Sequence, residues 1–273
     1  MCRLFGFISI KPSNAKEFLI DSECSLYTQS YINKNSKQSD GWGIAYYKGT
    51  KPIVYKSINP IYNEKDKFLN VLNKISSRII LAHIRKASNP KRLPIEKLLT
   101  IENVQPFYYK NYVFIHNGTI NIPDCVISEL GNYKKMVKSL NDSETYFWYI
   151  IKKLEEEKLN LVEALIDFEE FLWDKWNSIS IKEFKNPYSS LNSIFTDGKK
   201  VYAICKYNEG NGTSLCFKDQ PYFEMCYKVN KEFLIISSEK IDNSGEWKAL
   251  KNNEFLIAQI IDKEIVFQVD KIF

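Results

Sequence analysis

The chain has 273 residues, 44% of them hydrophobic and 26% charged, which is typical of a globular protein with enough apolar material for a sizeable core. Its net charge of +5 is spread along the sequence without a basic run, so we do not expect a nucleic-acid partner. No secretory signal is visible and no apolar stretch approaches the roughly 20 residues of a membrane span, so we expect a cytoplasmic protein that binds no membrane.

Hydrophobic periodicity predicts helices and strands along the whole chain. The first half is predicted to contain a strand at 3–10, a helix at 15–31, hairpin strands at 44–47 and 52–55, a helix at 64–76, a buried strand at 78–84, a short helix at 95–99 and a strand at 112–116. The second half is predicted to contain helices at 143–158 and 159–176, followed by strands at 191–196, 200–206, 222–228, 232–237, 254–261 and 264–269.

This order of elements predicts the fold class. Helices bracketed by two sets of strands suit sheets that pack together under helical layers, so we expect an α+β protein. The glycine-rich loops of nucleotide-binding folds do not occur in the sequence. No linker, internal repeat or shift in composition marks a boundary, which favours a single domain over residues 1–273.

The cysteines argue against a structural metal site. Six are present, namely Cys2, Cys24, Cys125, Cys205, Cys216 and Cys226. None belongs to a Cys-x-x-Cys pair, and the chain has two histidines, so neither a zinc site nor a cofactor is expected. In a reducing cytoplasm, free thiols are the expectation for all six.

One of these cysteines, Cys2, directly follows the initiator methionine. Its side chain is small enough for methionine removal, so we expect the mature chain to begin at Cys2. A thiol and an α-amino group, with reference pKa values of about 8.5 and about 8, then share one residue. Such an amine can act as general base for its own side-chain nucleophile. Taken alone, however, a cysteine at this position is more often an inert small hydrophobic residue.

Four further places could complete a site for amide hydrolysis. Asn117-Gly118 could supply two donors to an oxyanion, although an isolated Asn-Gly is more often a plain hairpin turn. Arg85 ends a strand and could hold a carboxylate with Ser88, although an isolated arginine is more often a surface residue. Asp142 could bind an ammonium group, and its plain alternative is the N-cap of the following helix.

The two histidines are interpreted as structural. His83 and His116 each follow apolar, strand-like residues, and neither is needed as a base if the α-amine has that role. We therefore expect both to be buried with their hydrogen bonds satisfied.

The order and spacing of seven short motifs resemble the class II glutamine amidotransferases of the N-terminal nucleophile hydrolase superfamily, most closely the compact branch without a synthetase domain. The motifs are Met1-Cys2-Arg3-Leu4-Phe5-Gly6, Gln38-Ser39-Asp40-Gly41-Trp42-Gly43, Ala82-His83-Ile84-Arg85-Lys86-Ala87-Ser88, Glu102-Asn103-Val104-Gln105-Pro106-Phe107, Ile115-His116-Asn117-Gly118, Asp142-Ser143-Glu144, and Ser237-Ser238-Glu239 followed by Trp247. They extend over nearly the whole chain.

The resemblance implies a four-layer αββα sandwich and a reaction. Cys2 would attack the side-chain amide of glutamine and form a γ-glutamyl thioester, releasing ammonia and then glutamate. Arg85 and the Ser88 region would bind the α-carboxylate, and Asp142 the α-ammonium group. Asn117 and Gly118 would form the oxyanion hole. These motifs depart from the family at Ser88, where threonine is frequent, at Lys86, where tryptophan or glutamine is frequent, and at Gln105, where histidine is frequent.

Three functions stay open at this point. The first is a glutamine-hydrolysing subunit that passes ammonia to a separate synthetase. The second is a free-standing hydrolase of a larger γ-glutamyl compound, which would use the same grip on the glutamyl group. The third is a catalytically silent binding protein on the same scaffold.

Overall fold

The structure is a computed structural model that describes residues 2–180, 183–208, 210 and 212–272. Its thirteen strands are β1 (Arg3–Ser13), β2 (Trp42–Lys48), β3 (Lys51–Ser57), β4 (Ser77–Ile84), β5 (Phe107–Tyr109), β6 (Tyr112–Asn117), β7 (Asn192–Thr196), β8 (Lys200–Cys205), β9 (Met225–Val229), β10 (Phe233–Ser237), β11 (Lys248–Leu250), β12 (Glu254–Ile261) and β13 (Glu264–Lys271). Its five α-helices are α1 (Leu26–Gln29), α2 (Lys65–Leu72), α3 (Pro123–Glu129), α4 (Asp142–Glu155) and α5 (Leu161–Ser178).

The strands form two antiparallel sheets. The seven-stranded sheet has the order β11-β9-β10-β1-β4-β2-β3, and the six-stranded sheet has the order β13-β12-β8-β7-β6-β5. Strand β1 lies between β10 and β4, so the beginning of the chain is held at the centre of the larger sheet. Strand β6 pairs with β7, and Asn117 of β6 lies opposite Asn192 of β7.

Three apolar clusters bind the layers together. The middle one joins the facing sheets, with residues such as Leu4 and Ile115 from either side. A second packs α3, α4 and α5 on the outer face of the six-stranded sheet, and a third packs α1 and α2 on the outer face of the other sheet. The protein is therefore an αββα sandwich, and the predicted α+β class is confirmed. Within the described ranges, no helix has the length and apolarity that crossing a bilayer requires.

The helix predicted at 15–31 is wrong as a continuous element. The structure has a π-helical turn at Glu17–Asp21 and the short helix α1, separated by four residues. The break follows from tertiary contacts, because the Cys24 amide donates a hydrogen bond to the carbonyl of Ile241 and the Ser25 side chain caps α1. The sequence reasoning also did not anticipate β5, α3 and β11.

Candidate active site

Strand alternation brings the predicted site residues to one end of the sandwich. Residues two apart on a strand face the same side, so Cys2 shares a face with Leu4 and Asn117 shares one with Ile115. Leu4 and Ile115 both belong to the cluster between the sheets. The beginning of β1, the end of β4 and the end of β6 therefore meet where the two sheets face each other.

The thiol of Cys2 is enclosed, with 8% of the residue exposed. Its Sγ lies 3.4 Å from the carbonyl oxygen and 3.5 Å from the amide nitrogen of Lys86. Burial raises the pKa of the thiol, while the backbone of Lys86 and the charge of Arg85 act in the opposite direction. The net effect keeps the thiol protonated in this structure, so a nucleophilic role for Cys2 requires a base to take up its proton.

Arg85 is a buried cation without a carboxylate partner. The residue is 3% exposed, and burial lowers the pKa of its guanidinium. Its Nη1 donates to the carbonyl of Leu98 at 2.8 Å and more weakly to that of Asp40 at 3.4 Å. No ion pair of Arg85 occurs among residues that the structure describes. A guanidinium has five N–H donors, so several stay available to an incoming carboxylate.

Asp142 is the matching buried anion. Its Oδ1 accepts a hydrogen bond from the Ser88 hydroxyl at 3.1 Å and its Oδ2 accepts one from the Ile120 amide at 2.6 Å. Burial raises the pKa of this carboxyl to about 6, although both hydrogen bonds and Arg85 act to lower it. No basic side chain lies within ion-pair distance of Asp142 in the described ranges.

The interpretation of Asp142 as a helix N-cap is wrong. The cap of α4 is Asn141, whose side chain accepts the amide hydrogen of Ser143 at 3.0 Å. Asp142 is the first residue of the helix itself. Because its neighbour satisfies the helix end, the carboxylate of Asp142 is directed to Ile120 and Ser88 instead.

Asn117 and Gly118 are not the hairpin turn that their plain interpretation predicted. Strand β6 leads on to α3, and its sheet neighbour β7 begins 75 residues after Asn117, at Asn192. The Oδ1 atom of Asn117 is buried and has no hydrogen-bond partner among the described residues. A Cβ at Gly118 would lie 1.9 Å from the carbonyl oxygen of Ser190, so only glycine fits there.

Gln105 connects the end of β6 with the beginning of α4. Its Oε1 accepts the amide hydrogen of His116 at 2.6 Å, and its Nε2 donates to the His116 carbonyl at 3.0 Å and to the Ser143 hydroxyl at 3.2 Å. The Nδ1 atom of His116 lies 2.8 Å from the same hydroxyl, and its Nε2 lies 2.9 Å from the carbonyl of Ser190. These contacts fix the residue before Asn117 to the residue after Asp142.

The two histidines differ in their hydrogen bonds. Both ring nitrogens of His116 are bonded, and burial lowers the pKa of the ring to about 4, so the prediction of a satisfied buried histidine is confirmed there. For His83 the predicted burial is confirmed, but the predicted hydrogen bonds are wrong. The backbone of His116 approaches this ring, but neither ring nitrogen of His83 forms a hydrogen bond of normal geometry in the described part of the chain. Burial holds the pKa of His83 well below its usual value.

The expectation of six free thiols is wrong for Cys24 and Cys216, which form a disulfide. Their Cα atoms lie 6.0 Å apart although 192 positions separate them in sequence, so the pairing depends on the fold and left no local signal. Ligand atoms of Cys24, Cys216 and Glu239 lie within 4.8 Å of one another, but the bond between the two sulfurs occupies both thiols.

Two supporting groups escaped the sequence reasoning. The Oδ2 atom of Asp40 accepts the amide hydrogen of Ala87 at 2.7 Å, which holds the segment after Arg85 in place. The backbone of Lys86 contacts the Cys2 thiol. Asp40 lies within a motif that the resemblance singled out, so its position was the available signal, whereas a backbone contact leaves none.

The fold is an αββα sandwich with the candidate site at one end, where β1, β4 and β6 meet. A family model described as class-II glutamine amidotransferases matches residues 1–260. The chain belongs to the class II glutamine amidotransferases, which makes it an enzyme of the amidotransferase or amidohydrolase type.

The relatives agree with this assignment. The chain is 24% identical to a probable glutamine amidotransferase of Saccharomyces cerevisiae, over 94% of this chain and 81% of that protein. It is 27% identical to the gamma-glutamyl-hercynylcysteine sulfoxide hydrolase of Mycobacterium tuberculosis, over 44% of this chain and 50% of that one. The solved structure of a glutamine aminotransferase class-II domain protein from Silicibacter pomeroyi has a TM-score of 0.64 at 16% identity and covers 98% of both chains, a similarity of fold.

Proposed function

We propose that this protein hydrolyses the side-chain amide of glutamine or of a related γ-glutamyl compound, with Cys2 as the nucleophile. The observation that carries the proposal is the pair of buried, ionically unpaired groups Arg85 and Asp142 beside the thiol. Unpaired buried charges are costly, and the zwitterionic end of an amino acid supplies the complement of both. In this proposal Arg85 binds the α-carboxylate with Ser88 nearby, and Asp142 binds the α-ammonium group.

The reaction follows from the groups at the same end. The Cys2 sulfur attacks the amide carbon, and the thiol proton passes to the α-amine of Cys2, which requires removal of Met1. Met1 lies outside the described residues. Asn117 and Gly118 stabilise the oxyanion, since a single such donor contributes about 3–4 kcal/mol to the transition state. The C–N bond then breaks, the α-ammonium returns its proton to the leaving nitrogen, and water hydrolyses the thioester to release glutamate.

The nature of the leaving group separates two versions of this function. Ammonia would leave from glutamine and pass to a separate synthetase partner, as in an amidotransferase subunit. A larger amine would leave from a γ-glutamyl compound, and the mycobacterial relative named as a γ-glutamyl hydrolase supports that version. We further propose that residues 1–273 act as one domain in the cytoplasm.

Labelling with 6-diazo-5-oxo-L-norleucine, an electrophilic glutamine analogue, tests the nucleophile. We expect its mass, less dinitrogen, on a peptide that begins at Cys2, with amidase activity lost in parallel. Cys2→Ser should lose the label and nearly all activity, whereas Cys125→Ser, which removes a half-buried free thiol, should lose neither. Label on another cysteine, or a label-free active enzyme, would contradict the assignment.

The same preparation distinguishes the substrates. Initial rates with glutamine, followed as ammonia release, are compared with rates for γ-glutamyl dipeptides, followed as release of the second amino acid. A silent binding protein would turn over none of these compounds and would take up no label.

A further inference from the structure

One cavity is lined by none of the residues assigned to the proposed amidase site. It has a volume of about 570 Å³, which is within the usual range for small-molecule sites. It is formed where the edge strands β3 and β5 of the two sheets meet α4, and its walls include Phe107, Tyr109 and Trp148. The Tyr109 and Trp148 rings pack edge to face with their centroids 5.2 Å apart, so the pocket has a pre-formed aromatic wall.

The charges in this cavity come from three lysines and two glutamates: Lys56, Lys110, Lys138, Glu102 and Glu144. Glu144 is already engaged, because its carboxylate accepts hydrogen bonds from the backbone amides of Lys138 and Ser139 and from the Trp148 indole. Lys110 is engaged as well, in an ion pair with Glu155 at 2.6 Å. The ammonium groups of Lys56 and Lys138 form no ion pair within the described ranges.

The aromatic rings do not form a cage for an external cation, because the chain's own amines already occupy them. The Nζ atom of Lys56 lies 5.3 Å from the centre of the Phe107 ring, and that of Lys110 lies 5.0 Å from the centre of the Tyr109 ring. A second cation would meet these ammonium groups. An anion would instead find two ammonium groups that have no carboxylate within ion-pair distance among the described residues, beside an apolar wall.

Burial supports the same conclusion for Lys56. It lowers the pKa of the lysine to about 8, and the charges of Glu144 and Glu102 offset this effect only in part, so the charged form is incompletely compensated in the folded protein. An incoming carboxylate or phosphate would complete the compensation.

We propose that this cavity is a binding site for a small planar aromatic anion, in which Lys56 and Lys138 bind the charge and the wall around Trp148 packs on the ring. The inference is independent of the amidase assignment. The site is nevertheless close to the amidase residues in the chain, because Phe107 follows Gln105 by two positions and Glu144 follows Asp142 by two. An occupant would contact the first turn of α4, and it therefore could alter glutamine binding.

The test is calorimetric titration with one ring carrying three different groups: 2-naphthoate, 2-naphthylmethylamine and 2-naphthalenemethanol. We expect 2-naphthoate to bind at least about tenfold more tightly than either of the others, which corresponds to about 1.4 kcal/mol. Lys56→Met should weaken 2-naphthoate binding and bring its affinity closer to that of the alcohol. Lys51→Met, an exposed lysine on the same strand, should leave its affinity unchanged.

Lys138→Met provides a second variant on a different segment and should also weaken 2-naphthoate binding. Tighter binding of the amine, equal binding of all three compounds, no binding of 2-naphthoate at millimolar concentration, or unchanged affinity in both the Lys56 and Lys138 variants would each overturn the proposal. Glutamine hydrolysis measured on the same samples reports separately on folding and on the amidase site. A failure of the anion-site proposal can therefore be distinguished from a failure of the amidase proposal.

Discussion

At the scale of single residues, Asp142 has two opposite effects. The raised pKa of about 6 means that the folded state disfavours its charged form. The resulting loss of stability is full above that pH and disappears as the pH falls below the unfolded value near 3.8. The same ionised carboxylate is what the proposed function needs, because only it attracts a substrate ammonium group. A residue that costs stability when charged is typical of a functional site.

For Asp142 we therefore expect a separation of stability and activity. Asp142→Asn should unfold at the same or a higher temperature at pH 7.5, because it removes a buried charge whose burial cost exceeds the stabilisation by its neighbours. It should raise KM for glutamine by at least tenfold, or about 1.4 kcal/mol. In the unsubstituted enzyme, kcat/KM should fall as the pH decreases through about 6, the pKa of this carboxyl. Rates from pH 5 to 8 check this, and a normal KM in the variant would leave Asp142 without a role in binding.

At Asn117, too, we expect a substitution to affect activity and stability separately. Asn192 in the adjacent strand provides the control. Asn117→Ala should lower kcat by about 10²–10³ with little change in KM, because an oxyanion forms only along the reaction path. Stability should not fall, since the Oδ1 atom has no partner to lose. The paired residue Asn192 bonds the carbonyl of Phe223 and the amide of Lys206. Asn192→Ala should therefore lower the melting temperature, and a change confined to KM in Asn117→Ala would exclude the oxyanion role.

At the scale of elements, the contacts of Gln105 hold the end of β6 against the beginning of α4 at the site. Gln105→Leu would leave the backbone amide and carbonyl of His116 buried and unpaired, at a cost of about 1–3 kcal/mol for each group. We expect urea denaturation to show that loss, together with a raised KM, because Asn117 and Asp142 lie at the two ends joined by this side chain. Gln105→His, which introduces the residue frequent in the family, should recover part of both. Unchanged stability in Gln105→Leu would contradict the role of Gln105 in joining β6 to α4.

The helices and strands also differ in how well the sequence predicts them. The long patterns of α4, α5 and the β12–β13 pair were predictable because the packing of each follows its own periodicity. The segment 15–31 was not, since contacts with Ile241 interrupt it. Helix α3 and strand β5 are short, and they give too few repeats of a period to be recognised.

The site residues divide in the same way. Motif order predicted one site for Cys2, Arg85 and Asp142. In the structure the charges of Arg85 and Asp142 act on the Cys2 thiol, while the catalytic and binding roles of the three residues stay predictions. Which residue caps α4 depends on one hydrogen bond, from Asn141 or from Asp142, and adjacent residues of similar chemistry cannot be separated by sequence pattern. The unbonded ring of His83 is likewise a product of three-dimensional packing.

At the scale of the whole molecule, the Cys24–Cys216 disulfide connects residues 192 positions apart. A bond that closes so long a loop strongly restricts the unfolded chain. The chain-entropy relation gives a stabilisation of the folded state of about 5 kcal/mol for a loop of this length, and measured stabilisations are typically about 2–4 kcal/mol. We expect the double variant Cys24→Ser, Cys216→Ser to lose about 2–5 kcal/mol of unfolding free energy. Guanidinium denaturation checks this. Reductant should destabilise the unsubstituted protein and leave the double variant unaffected, and indifference of both would show that the bridge does not form.

The bridge also changes what a cut in the backbone does. Cys24 and Cys216 close most of the chain into one covalent ring. A single proteolytic cut between them opens the ring and releases no fragment, whereas a cut before Cys24 or after Cys216 releases one. Nicked protein should therefore run as one band on a denaturing gel without reductant and as two bands with it, for every cleavage site inside the ring and for none outside it.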